Sequence, residues 1–239
     1  MCTVTYLPFK DRVLITSNRD ELMLRAPAAL PEVYEFPNGK ILFPKDGLAG
    51  GTWVGMHQNG NAMVLLNGAF VRHAHRPPYR KSRGIIFLEI FDSGNPKQAF
   101  ENIDLGDIEP FTLVISQHNE LWETKWDGKE KYIMPRQTDE PQIWSSVTLY
   151  DPEVREKREQ WFYEWLRQNN QPTAEDIRTF HEFGGEGDEA IDFRMNRNGI
   201  LLTVSITGME ISNGKGTMHY KDMVTGQVSI NEMTVATGL

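Results

Sequence analysis

Short β-branched and aromatic runs joined by tight turns dominate this chain, and two separated pairs of helices interrupt them. The runs lie at 2–7, 12–17, 53–57, 61–67, 111–116, 121–126, 131–134, 143–148, 201–211, 217–220 and 228–235. Consecutive runs separated by turn residues pair as antiparallel hairpins. Because the hairpins are grouped between helices, the order favours an α+β fold, with two sheets and helices outside them, over a doubly wound parallel sheet.

Capping residues predict four helices. The first spans 82–92, and the second begins with an Asn-Pro pair and spans 95–102. Asp151 caps the third helix, over 152–168, and a proline occupies its first helical position. Thr173 caps the fourth helix. Helices placed in two pairs suit a layer on each outer side of the sheets.

Length, charge and cysteine content limit the class of protein. The 239 residues contain no repeat, low-complexity tract or Gly/Ser linker, so we expect a single domain over 1–239. A formal net charge of −8 argues against general nucleic-acid binding. The sequence predicts no membrane span and no signal peptide. A single cysteine excludes an intramolecular disulfide, which suits a reducing compartment, and we expect a cytoplasmic protein.

That cysteine is residue 2, directly after the initiator methionine. Met1 is removable when the next residue is small, and its removal puts a thiol and a free α-amine on one residue. The thiolate is a strong nucleophile, and an amine with a pKa of about 8 is a base for it. Cys2 is therefore a candidate N-terminal nucleophile. The alternative is a small buried side chain at the start of a strand.

The register of the first hairpin decides what lies beside Cys2. Pairing of Pro8 with Val13 continues along both strands. In that register Cys2 lies opposite Arg19, and a slip of one residue places it opposite another member of the segment 18–21. An arginine there would hold the thiolate, and a carboxylate would orient the α-ammonium or bind a substrate amine. The alternative is a strand that runs out into solvated charge.

Two blocks of sequence match the motifs of a known family. The first comprises MCT at 1–3 and SNRDE at 17–21, and the second comprises GGTWVG at 50–55 and GNAMVLLN at 60–67. Over these blocks the chain resembles the NRDE family, also called the transport and Golgi organisation family. That family is distantly similar to the N-terminal-nucleophile hydrolases of the choloylglycine hydrolase and penicillin V acylase group. The resemblance implies a four-layer αββα sandwich of two stacked, mainly antiparallel sheets, with Cys2 as nucleophile.

The resemblance also implies roles for other residues. Asn18 and Asp20 match an Asn-x-Asp segment of the acylases, with Asp20 in the place of the carboxylate near the nucleophile's amine. Asn67 ends a strand, as an oxyanion-hole asparagine does in the acylases. A second acylase asparagine falls near Ser145-Ser146, where hydroxyls replace it. Arg155 lies about where the acylases place a late arginine.

A basic segment follows the strand that ends at Asn67. Residues 72–83 contain five cations and two histidines, and we expect them to rim the same pocket. On an acidic protein such a patch attracts a phosphate, a carboxylate or haem propionates. The candidate ligand-binding residues are Arg72, Arg76, Arg80 and Lys81. The alternative is a solvated Pro-containing loop. No Cys or carboxylate follows His73-x-His75 at metal-ligand spacing, so no metal site is expected.

Two classes of function fit these features. In the first, Cys2 attacks an amide carbonyl and its α-amine relays the proton, while Asn67 holds the oxyanion, Asp20 orients the amine and Arg19 or Arg155 steadies the thiolate. In the second, the same scaffold is a binding or trafficking module for an acyl-thioester, haem or another anionic or lipidic ligand. The partner in both is a small molecule. No sequence signature of a resident cofactor is found, so none is expected.

Overall fold

Two antiparallel sheets form the middle of the computed structural model, which describes residues 3–212 and 214–236. The strands of these two ranges are β1 (Thr3–Pro8), β2 (Arg12–Leu22), β3 (Ala29–Phe36), β4 (Gly39–Lys45), β5 (Val54–His57), β6 (Ala62–Asn67), β7 (Phe111–Gln117), β8 (Glu120–Trp126), β9 (Lys131–Arg136), β10 (Gln142–Ser145), β11 (Asn196–Arg197), β12 (Leu201–Ser212), β13 (Lys215–Asp222) and β14 (Val228–Thr234). The first sheet has the order β10-β1-β2-β12-β13-β14, with β11 paired to β12, and the second runs from β3 to β9 in chain order.

Helices cover the outer face of each sheet. They are α1 (Arg83–Asp92), α2 (Pro96–Asn102), α3 (Pro152–Gln168) and α4 (Ala174–Phe183). The first two contact β6, β7 and β8 of the second sheet, whereas α3 contacts β10 and α4 contacts β2 and β12 of the first. This is the αββα sandwich expected from the sequence, so the predicted fold is confirmed. None of the helices in the described ranges is long and apolar enough to cross a bilayer.

Strand alternation divides the core into two clusters. In β2, Val13 and Ile15 belong to the large cluster that contains both the inter-sheet side chains and α1, whereas Leu14 belongs to the smaller cluster under α3 and α4. Because successive residues of a strand face opposite ways, the same alternation sets the direction of the polar residues that follow. It predicts Asn18 on the helix side and Arg19 on the inter-sheet side.

Capping chemistry explains why the helices begin where the sequence predicts. The Ser82 hydroxyl accepts from the Ile85 N–H at the start of α1, and the Asp151 carboxylate accepts from the Val154 N–H at the start of α3. Each cap satisfies a backbone donor that has no partner within its own helix. The predicted first residues of these helices are therefore correct to within one position.

Several strands differ from the sequence prediction. Strands β3, β4 and β11 were not predicted, and the segment of β3 and β4 contains Pro31, Pro37 and Pro44. Proline is tolerated at a sheet edge, and β3 is an edge strand. The strand predicted over 143–148 ends at Ser145, because the chain then turns and the Ser146 carbonyl accepts from two backbone N–H groups that follow it.

Candidate functional site

Several of the predicted site residues lie where the first strand of one sheet approaches the end of β6 in the other. The hairpin has the expected register, with Pro8 opposite Val13, and pairing continues to Thr3 opposite Asn18. Cys2 itself lies outside the described residues. On its other side Thr3 pairs with Ser145 of β10. The start of β1 is thus flanked by the segments 18–20 and 145–146, to which the family resemblance assigned roles.

One hydrogen bond joins the two sheets at this point. The Ser146 hydroxyl lies 2.9 Å from the Asn67 carbonyl oxygen and donates to it, and the same hydroxyl lies 3.0 Å from the Thr148 hydroxyl. Because Ser145 is paired with Thr3, this contact places Asn67 close to the start of β1. The sequence-predicted positions at 67 and 145–146, far apart in the chain, are therefore neighbours.

The side chain of Asn67 has no hydrogen-bond partner within residues 3–212 and 214–236. It lies between two cavities, of about 580 Å³ and about 390 Å³, and is the one described residue that lines both. Its backbone is held in the sheet opposite Phe111. A carboxamide with free N–H groups on a residue that lines a cavity can donate to an oxygen atom of a molecule that occupies it.

Gly68 allows the chain to turn directly after Asn67. Its φ of +78° lies in the left-handed region, which favours glycine. A Cβ atom at this position would lie 2.7 Å from a methyl carbon of Val147 and 2.7 Å from one of Thr148. Glycine is therefore required both by the backbone conformation and by the close approach of the turn after β10.

Asn18 faces the helix layer, as the alternation of β2 predicts. Its amide Nδ2 donates to the backbone carbonyls of His181, at 3.1 Å, and Phe193, at 2.6 Å. Its Oδ1 lies 2.6 Å from His181 Nδ1, and His181 Nε2 lies 2.8 Å from the Thr5 hydroxyl. Burial, with a smaller effect of the Arg158 charge, lowers the pKa of His181 to about 3. Neutral His181 therefore donates from Nδ1 to Asn18 and accepts from Thr5.

Asp20 lies on the same face of β2 as Asn18. Its carboxylate accepts from the Tyr150 hydroxyl at 2.7 Å and from the Thr203 hydroxyl at 2.5 Å. The Asp20 side chain is buried, and so is Tyr150. These contacts fix the end of β2 against β12 and the chain that leads into α3.

Arg19 points the other way, towards the second sheet. Its guanidinium donates to Asp46 at 2.8 Å and lies 4.5 Å from the centre of the Trp53 ring. Burial would raise the pKa of Asp46, but the hydrogen bond from Arg25 and the neighbouring charges lower it overall. Arg19 and Trp53 line the smaller cavity. The GGTW motif is thus joined to SNRDE through a stacked arginine and tryptophan.

Two arginines of α3 lie near the site. Arg155 lines the larger cavity, and its Nε is shielded from solvent without a hydrogen-bond partner among the described residues. Arg158 is fully buried and donates to the Thr3 hydroxyl and to the backbone carbonyls of Ile191 and Asp192.

The Arg158 guanidinium also lies 3.8 Å from the centre of the Tyr150 ring. No carboxylate of the described residues lies within ion-pair distance of it. Arg158 is not among the site residues predicted from the sequence, although a signal exists: it lies four residues before Phe162 and seven before Trp165, on the apolar side of α3. A charged residue at such a position predicts a buried, functional or structural cation.

The basic segment 72–83 rims the smaller cavity through His75, Tyr79, Lys81 and Arg83. Arg80 donates to the carbonyls of Asp104 and Gly106 and pairs with the Asp104 carboxylate at 3.2 Å. Lys81 pairs with Glu89 at 2.6 Å. Arg72 and Arg76 are exposed, and neither side chain has a partner in the part of the chain that the structure describes. Of the four candidate ligand-binding residues, only Lys81 lines one of the two cavities beside Asn67.

A carboxylate does approach the histidines of this segment. His73 Nε2 and His75 Nδ1 each lie 3.1 Å from the same oxygen of Glu109, and Arg83 lies 3.1 Å from its other oxygen. Burial would raise the pKa of Glu109, but Arg83 and the two histidines lower it overall. No group of three or more His, Cys, Asp and Glu side chains in the described residues is arranged to hold a metal ion.

Solved structures similar to this chain define its fold. Two variants of conjugated bile acid hydrolase from Clostridium perfringens cover 98% of this chain and 92% and 97% of their own, each at 12% identity, with TM-scores of 0.53 and 0.59. The Caenorhabditis elegans orthologue of N-acylethanolamine-hydrolyzing acid amidase covers 87% of this chain and 92% of its own, at 14% identity and a TM-score of 0.56. The fold is that of the N-terminal-nucleophile hydrolases.

The family follows from the sequence. The family model described as Transport and Golgi organisation 2 matches residues 1–180. Since this is more than half of the chain, the protein belongs to the transport and Golgi organisation 2 family. The family resemblance seen in the two sequence blocks is thereby confirmed. No curated protein matches the chain.

Proposed function

We propose that this protein is an N-terminal-nucleophile amidohydrolase that uses Cys2 after removal of Met1. The observation that carries the proposal is Asn67, which lines both cavities and whose side-chain N–H groups have no partner among the described residues. An amide with one portion in each cavity would place its carbonyl oxygen beside these donors. Similarity in fold to two kinds of amidohydrolase supports the same reaction class.

The chemistry assigned to the site proceeds in two steps. The Cys2 thiolate attacks the amide carbonyl carbon, and the oxyanion accepts a hydrogen bond from Asn67 Nδ2. The C–N bond then breaks as the α-ammonium gives its proton to the departing amine, which leaves an acyl-thioester on Cys2. Water attacks the thioester, the C–S bond breaks, and the carboxylic acid and the Cys2 thiol are released.

The surrounding residues have supporting roles in this proposal. Arg158, which donates to Thr3, supplies positive charge next to the residue that follows Cys2 and favours the thiolate. Asp20 is held by Tyr150 and Thr203 in the place assigned to the carboxylate near the α-amine. Asn18 is engaged by His181 and acts as a positioning residue for the end of β2. Arg19 shapes the smaller cavity together with Trp53.

Two measurements test the proposal. The first is the intact mass of protein expressed without an N-terminal tag, before and after reaction with a thiol-selective alkylator near neutral pH. Loss of Met1 and rapid modification of Cys2 are expected. Retained Met1, or a thiol that reacts only after unfolding, would exclude the mechanism and leave the binding or trafficking module as the function to test with acyl-thioester and haem ligands.

The second measurement is hydrolysis of a panel of N-acyl amides by Asn67→Ala. Loss of one oxyanion donor is expected to lower kcat by about 10²- to 10³-fold. Asn59→Ala is the matched control, because Asn59 lies at the turn end of the same hairpin, where its amide donates to the Gly94 carbonyl. Equal activity of the two variants would show that Asn67 does not stabilise the oxyanion.

A further inference from the structure

We propose that residues 71–79 form a lid over the smaller cavity and that Glu109 is the latch that holds this lid closed. The lid contributes His75 and Tyr79 to the wall of the cavity. It contains no helix or strand, and most of its side chains are exposed. Glu109 is a positioning residue, because it acts on the cavity through the histidines of the lid. The lid controls access to the cavity whether or not an amide is hydrolysed there.

The lid is fastened at its two ends and not along its length. Its backbone makes no hydrogen bond to the rest of the chain in the part that the structure describes. Before it, the Phe70 ring lies 4.8 Å from the Tyr132 ring in an edge-to-face contact. After it, the Arg80 N–H donates to the Asp107 carbonyl at 2.9 Å. A segment with few buried apolar contacts and no backbone pairing is among the parts of a protein that open most easily.

Two imidazoles tie the lid to the body of the protein. His73 Nε2 and His75 Nδ1 each lie 3.1 Å from the same oxygen of Glu109. A carboxylate oxygen only accepts, so both ring nitrogens donate to it. Hydrogen bonds to a charged acceptor are stronger than those between neutral groups. Among the described residues the lid has no other hydrogen bond or ion pair outside itself, so its closure depends on one carboxylate.

The second oxygen of Glu109 is fixed to the body of the protein. It lies 3.1 Å from Arg83, in the first turn of α1, and Arg83 also lines the smaller cavity. Glu109 therefore joins the lid to α1 at the rim of the cavity. A glutamine at this position keeps the shape of the side chain but has only one acceptor oxygen and no charge. It cannot accept from both histidines and from Arg83.

Contacts within the lid keep one of its ends together. The Arg76 backbone N–H donates to the Tyr79 hydroxyl at 2.8 Å, and the His75 and Tyr79 rings lie 5.4 Å apart. The two prolines between Arg76 and Tyr79 have a fixed φ and no N–H group that requires a partner. We therefore expect this end of the lid to swing away as a unit when the latch is released, which opens one side of the cavity.

Limited trypsin digestion measures release of the lid, because the Arg72 side chain is exposed and has no partner among the described residues. Glu109→Gln is expected to be cleaved after Arg72 about 10-fold or more faster than the wild-type protein, since the loss of charged hydrogen bonds raises the open population. Glu89→Gln is the matched control, because its carboxylate pairs with Lys81 at 2.6 Å, beyond the end of the lid. Equal cleavage rates in the three proteins would overturn the latch.

A second variant separates release of the lid from unfolding. Replacement of both His73 and His75 by phenylalanine removes the two donors and leaves the pair of Glu109 and Arg83 in place. The same increase in cleavage after Arg72 is expected. An increase in Glu109→Gln alone would show that loss of the pair with Arg83, and not loss of the histidine contacts, exposes the segment, and would refute the latch.

Acrylamide quenching of Trp53 fluorescence measures whether release of the lid opens the cavity. Trp53 lines the smaller cavity and is buried. The difference between each protein and its Trp53→Phe counterpart isolates this residue from the remaining tryptophans. Glu109→Gln is expected to raise the quenching of Trp53 by about 2-fold or more, and Glu89→Gln to leave it unchanged. Faster cleavage without increased quenching would show a loose segment that does not cover the cavity, and would overturn the lid.

Discussion

Acidification is expected to destabilise this protein through His181, the buried histidine that holds Asn18. Burial and the charge of Arg158 lower the pKa of His181 from its ordinary value of 6.5 to about 3. In the unfolded chain the imidazole takes up a proton below about 6.5. The folded protein binds that proton only near pH 3. Protonation therefore favours the unfolded chain throughout this window, and stability is lost as the pH falls.

The magnitude follows from proton linkage. A group with a pKa of 6.5 in the unfolded chain and about 3 in the folded protein lowers the free energy of unfolding by about 2 kcal/mol between about pH 7 and about pH 5. Below pH 5 the loss continues at about 1.4 kcal/mol per pH unit until the folded protein also takes up the proton. For a domain with a typical stability of about 5–15 kcal/mol, this is a large fraction.

Urea unfolding at a series of pH values measures this effect. The wild-type protein is compared with His181→Gln, in which the titrating group is removed. His118→Gln is the matched control, because His118 is exposed at the turn between β7 and β8. Other ionisable groups contribute equally to all three proteins, so the difference in slope isolates His181. Parallel curves for the wild type and His181→Gln between pH 7 and pH 5 would refute the reasoning.

Two further predictions concern the framework of the site. Gly68→Ala is expected to cost at least about 1 kcal/mol more in urea unfolding than Gly187→Ala, because the new methyl lies 2.7 Å from two side chains of the turn after β10, whereas Gly187 also has a positive φ but nothing within 4 Å. Equal losses would contradict the clash. Arg158→Met is expected to raise by about one unit the pH at which Cys2 becomes reactive to alkylation, and Thr3→Val, which removes the hydroxyl acceptor, to raise it in the same direction. Unchanged reactivity in both variants would refute a role for Arg158.

Local rules account for most of the elements that could be predicted from the sequence. Helix starts follow from single capping side chains such as Ser82 and Asp151, and the first hairpin follows from its turn and the alternation of its strands. Strand β3 could not be predicted in this way, because its proline indicates a loop unless the strand is known to lie at an edge. Whether a strand is an edge strand depends on the whole sheet.

Local rules likewise predict some parts of the site and not others. The pairing of Thr3 with Asn18 is set by the local hairpin and follows from one of the registers that the sequence leaves open, the one with Pro8 opposite Val13. The contact between Ser146 and Asn67 joins two sheets, and only the family resemblance indicated that these positions are related. Arg158 and Thr3 are 155 residues apart in the sequence, so no local sequence pattern can predict their hydrogen bond. The position of Arg158 on the apolar side of α3 indicates that its side chain is buried, but it does not indicate which residue it binds.

Strand alternation determines which way each residue of the SNRDE motif faces. Three consecutive residues of β2 do not face the same way: Asn18 and Asp20 face the helix layer and Arg19 faces the second sheet. Asn18 and Asp20 fix the end of β2 through side-chain hydrogen bonds with His181, Tyr150 and Thr203. Arg19 stacks on Trp53 and forms part of a cavity wall. Substitutions on the two faces should therefore differ in kind, with Asn18 and Asp20 affecting stability and alignment and Arg19 affecting what the cavity binds.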